Sequence, residues 1–253
     1  MKSLLLVLIT TAFAALTPAL RSADVAYPAP LGEELSKRFP YSMAGQVIFS
    51  SGNRDYQGSA TVVFKRSVLT AAHNLWDSEN GWSTNIEFNR SRNGRATPNQ
   101  AFAHRLFVFA GYKTNVQRTG AESLRAFAFD LGGLRFRSEV ANGSYAGWRA
   151  DYRLLTGSAQ NIALGYGADR HSGDELLFVE PTLAFDQILG AFFENSSLMF
   201  EGGMSGGPVF ADIGSGDFRV VGVIVAGSDD PPSGGIRALN AGAARFLTTY
   251  LRY

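Results

Sequence analysis

Cysteine is absent from all 253 residues, so no disulfide framework holds the fold and no thiolate is available as nucleophile or metal ligand. Histidine is nearly as scarce. His73, His104 and His171 stand in unrelated contexts, which argues against a metal centre, and no cofactor is expected. An excess of charge of either sign is also missing: 23 basic against 22 acidic residues leave a formal net charge of +1. With no dominant lysine/arginine tract, nothing in the charge pattern asks for nucleic acid. The one basic cluster, Arg90, Arg92 and Arg95, lies in a polar stretch at 89–100 and reads as a solvated insertion.

Long apolar runs are confined to the first residues. Lys2 precedes an apolar run at 4–16 that is short for a bilayer span, with small residues near Thr17-Pro18-Ala19 to serve a processing enzyme. The segment 1–19 is read as a signal peptide, making the mature protein secreted (extracellular or periplasmic) with no stable membrane association. Residues 20–43 hold Pro28, Pro30 and Pro40 and read as a propeptide or N-terminal arm. Residues 44–253 form the remaining domain.

In that domain short apolar runs at 46–49, 60–64, 105–109, 126–129, 161–164, 175–179 and 220–225 alternate with turn signals such as Asn93-Gly94 and Gly214-Ser215-Gly216-Asp217. Many short strands between glycine-rich turns make an all-β protein, sandwich or barrels. One helix is expected, at the C-terminus. Asn240 caps it, and Phe246, Leu247, Tyr250 and Leu251 recur at helical spacing to pack one face on the second half of the domain.

Three motifs carry chemistry. Gly203-Met204-Ser205-Gly206-Gly207-Pro208 sets a serine in a turn whose glycines admit dihedrals forbidden to other residues, so amides can gather around a developing oxyanion. Thr70-Ala71-Ala72-His73-Asn74 places a histidine just past an apolar strand. Asp130 sits inside the apolar stretch Ala126-Phe127-Ala128-Phe129-Asp130-Leu131, where a carboxylate needs a hydrogen-bonding partner. Gly203-x-Ser205-x-Gly207 also fits the nucleophile elbow of α/β-hydrolases, but that fold needs a histidine after the serine, and all three histidines precede Ser205.

The order His73, Asp130, Ser205, with these three contexts, resembles the chymotrypsin-like (trypsin-like) serine peptidases. Asn161-Ile162-Ala163-Leu164-Gly165-Tyr166-Gly167-Ala168-Asp169 is similar to a strand and turn of their bacterial glutamyl-endopeptidase-like branch. The resemblance implies two six-stranded antiparallel β-barrels, divided at about 145–158, with a C-terminal helix. It implies a secreted serine endopeptidase acting through an acyl-enzyme: Ser205 as nucleophile, His73 as general base, Asp130 orienting the histidine, and the amides of Gly203 and Ser205 as oxyanion hole. Met199, Phe200, Val225, Ala226 and Gly227 would line the substrate pocket. The partner would be a protein or peptide substrate, and the enzyme a monomer. An idle binding module on the same fold and an esterase using the same three residues are the alternatives.

Two positions depart from the family pattern. Met204 replaces the aspartate that pairs with a freed N-terminal amine, so activity is expected not to need a new N-terminus. Val225 replaces a serine that would bond the aspartate, leaving Asp130 to backbone amides near Ala72 and His73.

Overall fold

Ala44–Ser51 and Arg54–Phe64 open the domain as a hairpin. Their register runs from Ala44 opposite Thr61 to Ser51 opposite Arg54, leaving Gly52 and Asn53 as a two-residue turn. Gly52 has φ of +58°, the left-handed conformation that suits this connection to the strand twist. The computed structural model describes residues 25–94, 99–181 and 184–252. The expected signal peptide, 1–19, and Arg95 of the basic cluster lie outside them.

The hairpin belongs to a closed six-stranded barrel in the order Ala44–Ser51, Arg54–Phe64, Ser67–Thr70, Gly132–Phe136, Gln100–Val108, Thr84–Arg90. Alternate residues point inward, and Val47, Val62, Val68, Phe88, Leu134 and Phe136 fill the interior. Where the chain leaves this barrel, Ala146 N–H donates to Val62 O at 2.8 Å and Arg149 N–H to Val220 O at 2.9 Å. The second half is one antiparallel sheet with its own core of Ala163, Leu177, Val209, Val221, Ile224 and Ile236. The fold class is as expected, with one difference. Where a second six-stranded barrel is expected there is an eight-stranded sheet, its ladder open among the described residues, with two short strands at its ends, Ala29–Pro30 and Asp186–Leu189.

The first of these strands comes from the N-terminal arm. Ala29 and Pro30 pair with Phe178 and Leu177, Ala26 N–H donates to Ser197 O at 2.7 Å, and Leu31 is buried.

Four expectations need correction. The run at 126–129 is helix, Leu124–Phe129, not strand: Ser123 caps it, accepting from Ala126 N–H at 3.1 Å, and its leucine, arginine and alanines favour helix over extension. A further helix, Tyr112–Thr119, precedes it, so the C-terminal helix is not alone. That terminal helix, Ala241–Phe246, is capped by Asn240 as expected, and a wider turn at Leu247–Leu251 continues it. Its contacts are with the first barrel: Phe246 meets Phe109 at 5.9 Å between rings, Tyr250 meets Phe107 at 5.4 Å, and Leu251 lies where a side chain on Gly133 would be. Phe246, Leu247 and Leu251 are buried while Tyr250 remains half exposed. Finally, Arg90 and Arg92 are not solvated. Arg90 is buried and donates to Ser42 O, Val140 O and Ala141 O; Arg92 donates to Gln46 Oε1 at 2.6 Å and pairs with Asp174 at 2.7 Å.

Leu251 is fully buried against Gly133. Leu251→Ala therefore loses about 2–5 kcal/mol of stability through transfer and cavity effects, read as a lowered urea midpoint at unchanged slope.

Candidate active site

Two neighbouring strands of the first barrel bring the histidine and aspartate together. Ser67–Thr70 pairs with Gly132–Phe136, Thr70 opposite Gly132. The chain leaves the first strand into the 3-10 turn Ala72–Asn74, and enters the second from the end of helix Leu124–Phe129, where Asp130 stands. His73 Nδ1 and Asp130 Oδ2 are 2.6 Å apart, and the His73 backbone N–H donates to Asp130 Oδ1 at 3.0 Å. An ionised carboxylate only accepts, so the proton of the neutral ring lies on Nδ1 and Nε2 carries the free lone pair. Asp130 is buried while His73 keeps a face to solvent. Of the amides expected to hold Asp130, that of His73 does so.

Ser205 comes from the other sheet, in the turn entering strand Pro208–Asp212. Gly203 and Gly206 flank it at φ of +91° and +85°. A side chain at Gly203 would meet the Tyr166 carbonyl, and one at Gly206 would meet Thr70 and Ser59. Within the turn, Met204 N–H donates to Glu201 O at 3.1 Å, Gly206 N–H to Ile224 O at 2.7 Å and Gly207 N–H to Met204 O at 2.9 Å. Among the described residues no acceptor takes the N–H of Gly203 or of Ser205. An amide pair without internal partners beside a serine is what an oxyanion site requires.

The sheets are joined at this point. Ser205 O accepts from Ser59 N–H at 2.8 Å and from Asn74 Nδ2 at 2.9 Å, both in the first barrel and the second next to His73. Ser59 Oγ donates to Gly203 O at 2.8 Å and accepts from Tyr166 N–H at 2.9 Å. Asn74 is itself held by Thr70 Oγ1 at 3.0 Å. His73 and Ser205 line one cleft of about 800 Å³, walled by Phe127 from the first half and by Phe200, Val225, Ala226 and Gly227 from the second. Met199 is not part of it. It is buried behind the wall, its N–H donating to Ala26 O at 3.1 Å, because consecutive residues of an extended segment point opposite ways and Phe200 takes the cleft side.

No family model and no curated protein sequence matches the chain. Solved structures do. A Glu endopeptidase in complex with MPD aligns at a TM-score of 0.69 and 17% identity over 89% of this chain and 96% of its own. The thermostable serine protease AL20 from an extremophilic microorganism aligns at 0.66 and 21%, over 83% and 98%. Protease Anisep from Arthrobacter nicotinovorans aligns at 0.64 and 18%, over 82% and 94%. The fold is that of the chymotrypsin-like serine peptidases.

On this chymotrypsin-like frame several residues of consequence escaped the sequence reading. Ser59 lies 144 positions from its partner Gly203, and nothing local marks it. Glu201 and His171 form a pair at 2.8 Å, with His171 in a loop as expected. His104, on the strand Gln100–Val108, is exposed, its Nδ1 2.9 Å from Arg135 O. Arg237 is fully buried with its guanidinium 4.7 Å from the centre of the Phe109 ring; it donates to Ala238 O, and its Nε has no partner. Burial pulls its pKa down to about 10 against the opposing charge of Asp130. Burial also pulls on His73, but the charge of Asp130 and the hydrogen bond to it outweigh burial and raise the imidazole above its usual 6.5.

That balance gives a prediction. In an NMR titration His73 has a pKa above 6.5, and in Asp130→Asn, where burial acts without the opposing charge, it falls below 6.5. A group raised in the folded state adds stability below its unfolded pKa and loses that contribution as pH climbs through the folded value. The variant is therefore destabilised more at pH 5 than at pH 9, measured by urea unfolding.

Proposed function

We propose that the protein is a serine endopeptidase in which Ser205, His73 and Asp130 act as a catalytic triad. The observation that carries this is the short His73–Asp130 bond in a cleft shared with Ser205, beside two backbone N–H groups without acceptors. In this reading Nε2 of His73 takes the Ser205 proton as Oγ attacks the substrate carbonyl. The Gly203 and Ser205 amides receive the oxyanion, and the imidazolium, stabilised by Asp130, returns the proton to the leaving amine. Water then repeats the sequence on the acyl-enzyme. The positively charged start and apolar run of 1–19 support action outside the cytoplasm. Among the described residues none from 25–43 lines the cleft, and Ala29–Pro30 is built into an edge of the second sheet.

Selectivity follows from the wall. Beyond Ser205 it is formed by Phe200, Ile224, Val225, Ala226 and Gly227, and no lysine or arginine lines the cleft among the described residues. Glu122, Asp169, Glu194, Glu201 and Asp229 do line it, so a substrate carboxylate would be unpaired and also repelled. Asp229 is at an exposed rim and 3.6 Å from Arg170. The preferred residue before the scissile bond is uncharged, apolar or small.

Two outcomes are expected. A fluorophosphonate labels the wild-type protein at Ser205, and Ser205→Ala is unlabelled, correctly folded and about four to six orders of magnitude slower on peptides. Near wild-type hydrolysis by that variant would overturn the assignment. On matched peptides with leucine, glutamate or arginine before the cleaved bond, leucine is cut fastest and glutamate slowest. A strong glutamate preference contradicts the reading of the wall, and a strong arginine preference transfers the role to Asp229.

A further inference from the structure

Glu201 is a buried carboxylate that the triad does not use, two residues before the oxyanion amide of Gly203. Its side chain is 1% exposed. A carboxylate so placed is tolerated only with donors around it, and it has two: His171 Nδ1 at 2.8 Å and the Arg170 N–H at 3.2 Å. There is no slack on its other side, since a side chain on Gly167 would collide with it. The same segment grips the next residue at both ends of its peptide groups. Ala168 N–H donates to Gly202 O at 2.8 Å, and Gly202 N–H donates to Asp169 Oδ2 at 2.6 Å. Glu201 O meanwhile closes the turn by accepting from Met204 N–H. The amides at 202 and 204 are thus engaged in alternation with those at 203 and 205, which have no acceptor among the described residues.

Resting on the peptidase reading, we propose that Glu201 is a positioning residue for the oxyanion site. Its carboxylate, clamped by His171 and the Arg170 amide, fixes the 201–204 turn so that the Gly203 and Ser205 N–H groups face the reacting carbonyl. Met204, fully buried, stands where a chymotrypsin-like chain would offer an aspartate to a new terminal amine. The support here reaches the turn from the loop 166–171, within the same sheet, so it is complete before any processing of the chain. The charged groups around it are Asp169, Arg170 and His171 on that loop and Asp229 beyond Arg170. Their bonds to the turn are made by backbone and by short side chains, which makes the support stiff.

The test is kinetic. Removing an oxyanion donor outright lowers kcat by about 100- to 1000-fold, and loosening its support is expected to lower it by about 10- to 100-fold. Glu201→Ala should show that fall in kcat with KM within about two-fold of wild type. Its affinity for a peptide boronic acid, which makes a tetrahedral adduct with Ser205, should drop in parallel. Glu201→Gln, which can still accept from the Arg170 N–H, should recover most of the loss. Should Glu201→Ala not fold, His171→Ala decides the question, because its ring is partly exposed and its removal leaves the Arg170 bond in place. A folded variant with unchanged kcat and boronate affinity overturns the proposal. So does one whose KM rises as far as kcat falls, which marks a general collapse of the cleft. Failure of the wild-type protein to label with fluorophosphonate overturns the peptidase reading itself, and this proposal with it. A labelled wild type with an unaffected Glu201→Ala removes only the role of Glu201.

Discussion

The hydrogen bonds into the carbonyl oxygen of Ser205 are the interaction on which the rest of the site depends. A histidine held by one barrel and a serine held by another sheet have no covalent reason to meet. Ser59 N–H and Asn74 Nδ2 supply one, anchoring the peptide group of the serine to strand and turn of the first barrel. Because Asn74 adjoins His73, the same bond ties the segment of His73 to that of Ser205. Both partners are nearly or fully buried, where a lost hydrogen bond leaves polar groups without water to replace it.

Electrostatics are arranged around this joint with few charges. Asp130 is buried, bonded twice by His73 and within the field of the buried Arg237. Glu201, on the opposite side of the serine turn, has its own histidine. Two carboxylate–histidine pairs thus flank the serine turn: His73 of the first and Glu201 of the second both stand at the cleft, while His171 faces a loop. The first has a free Nε2 lone pair to use in chemistry. The second is enclosed by Gly167 and the loop, and its chemistry ends in holding a shape.

The parts that the sequence made legible are those encoded over short distances. Gly203 through Pro208, the histidine after an apolar strand, the aspartate among phenylalanines and the Asn240 cap are all readable within a few residues. The all-β character was legible too, from apolar runs between turn signals, though not the number of strands. What escaped depends on contacts across the chain. Ser59 is one serine among many until Gly203 and Tyr166 fold against it. Arg90 and Arg92 sit in a polar stretch and are taken into the structure by carbonyls and side chains from 42, 46, 140 and 141. The helix Leu124–Phe129 has the apolar content of a strand, and the cap at Ser123 together with its leucine, arginine and alanines decides for helix. Met199 and Phe200 are adjacent apolar residues, and only the folded chain shows that Phe200 lines the cleft while Met199 is buried.

At the serine turn the second half joins the first through peptide groups: the carbonyls of Ser205, Gly203 and Tyr166 and the amide of Tyr166 meet the Ser59 amide and the side chains of Ser59, Asn74 and Gln57. Every residue type carries a carbonyl, and all but proline carry the amide. On the second-half side such a joint constrains the path of the main chain tightly, and it fixes side-chain identity at only a few positions, Ser59, Asn74 and Gln57. Lineages built on it are free to exchange nearly all their cores and surfaces, and to become unrecognisable to one another by letter, while the backbone at the centre stays superimposable.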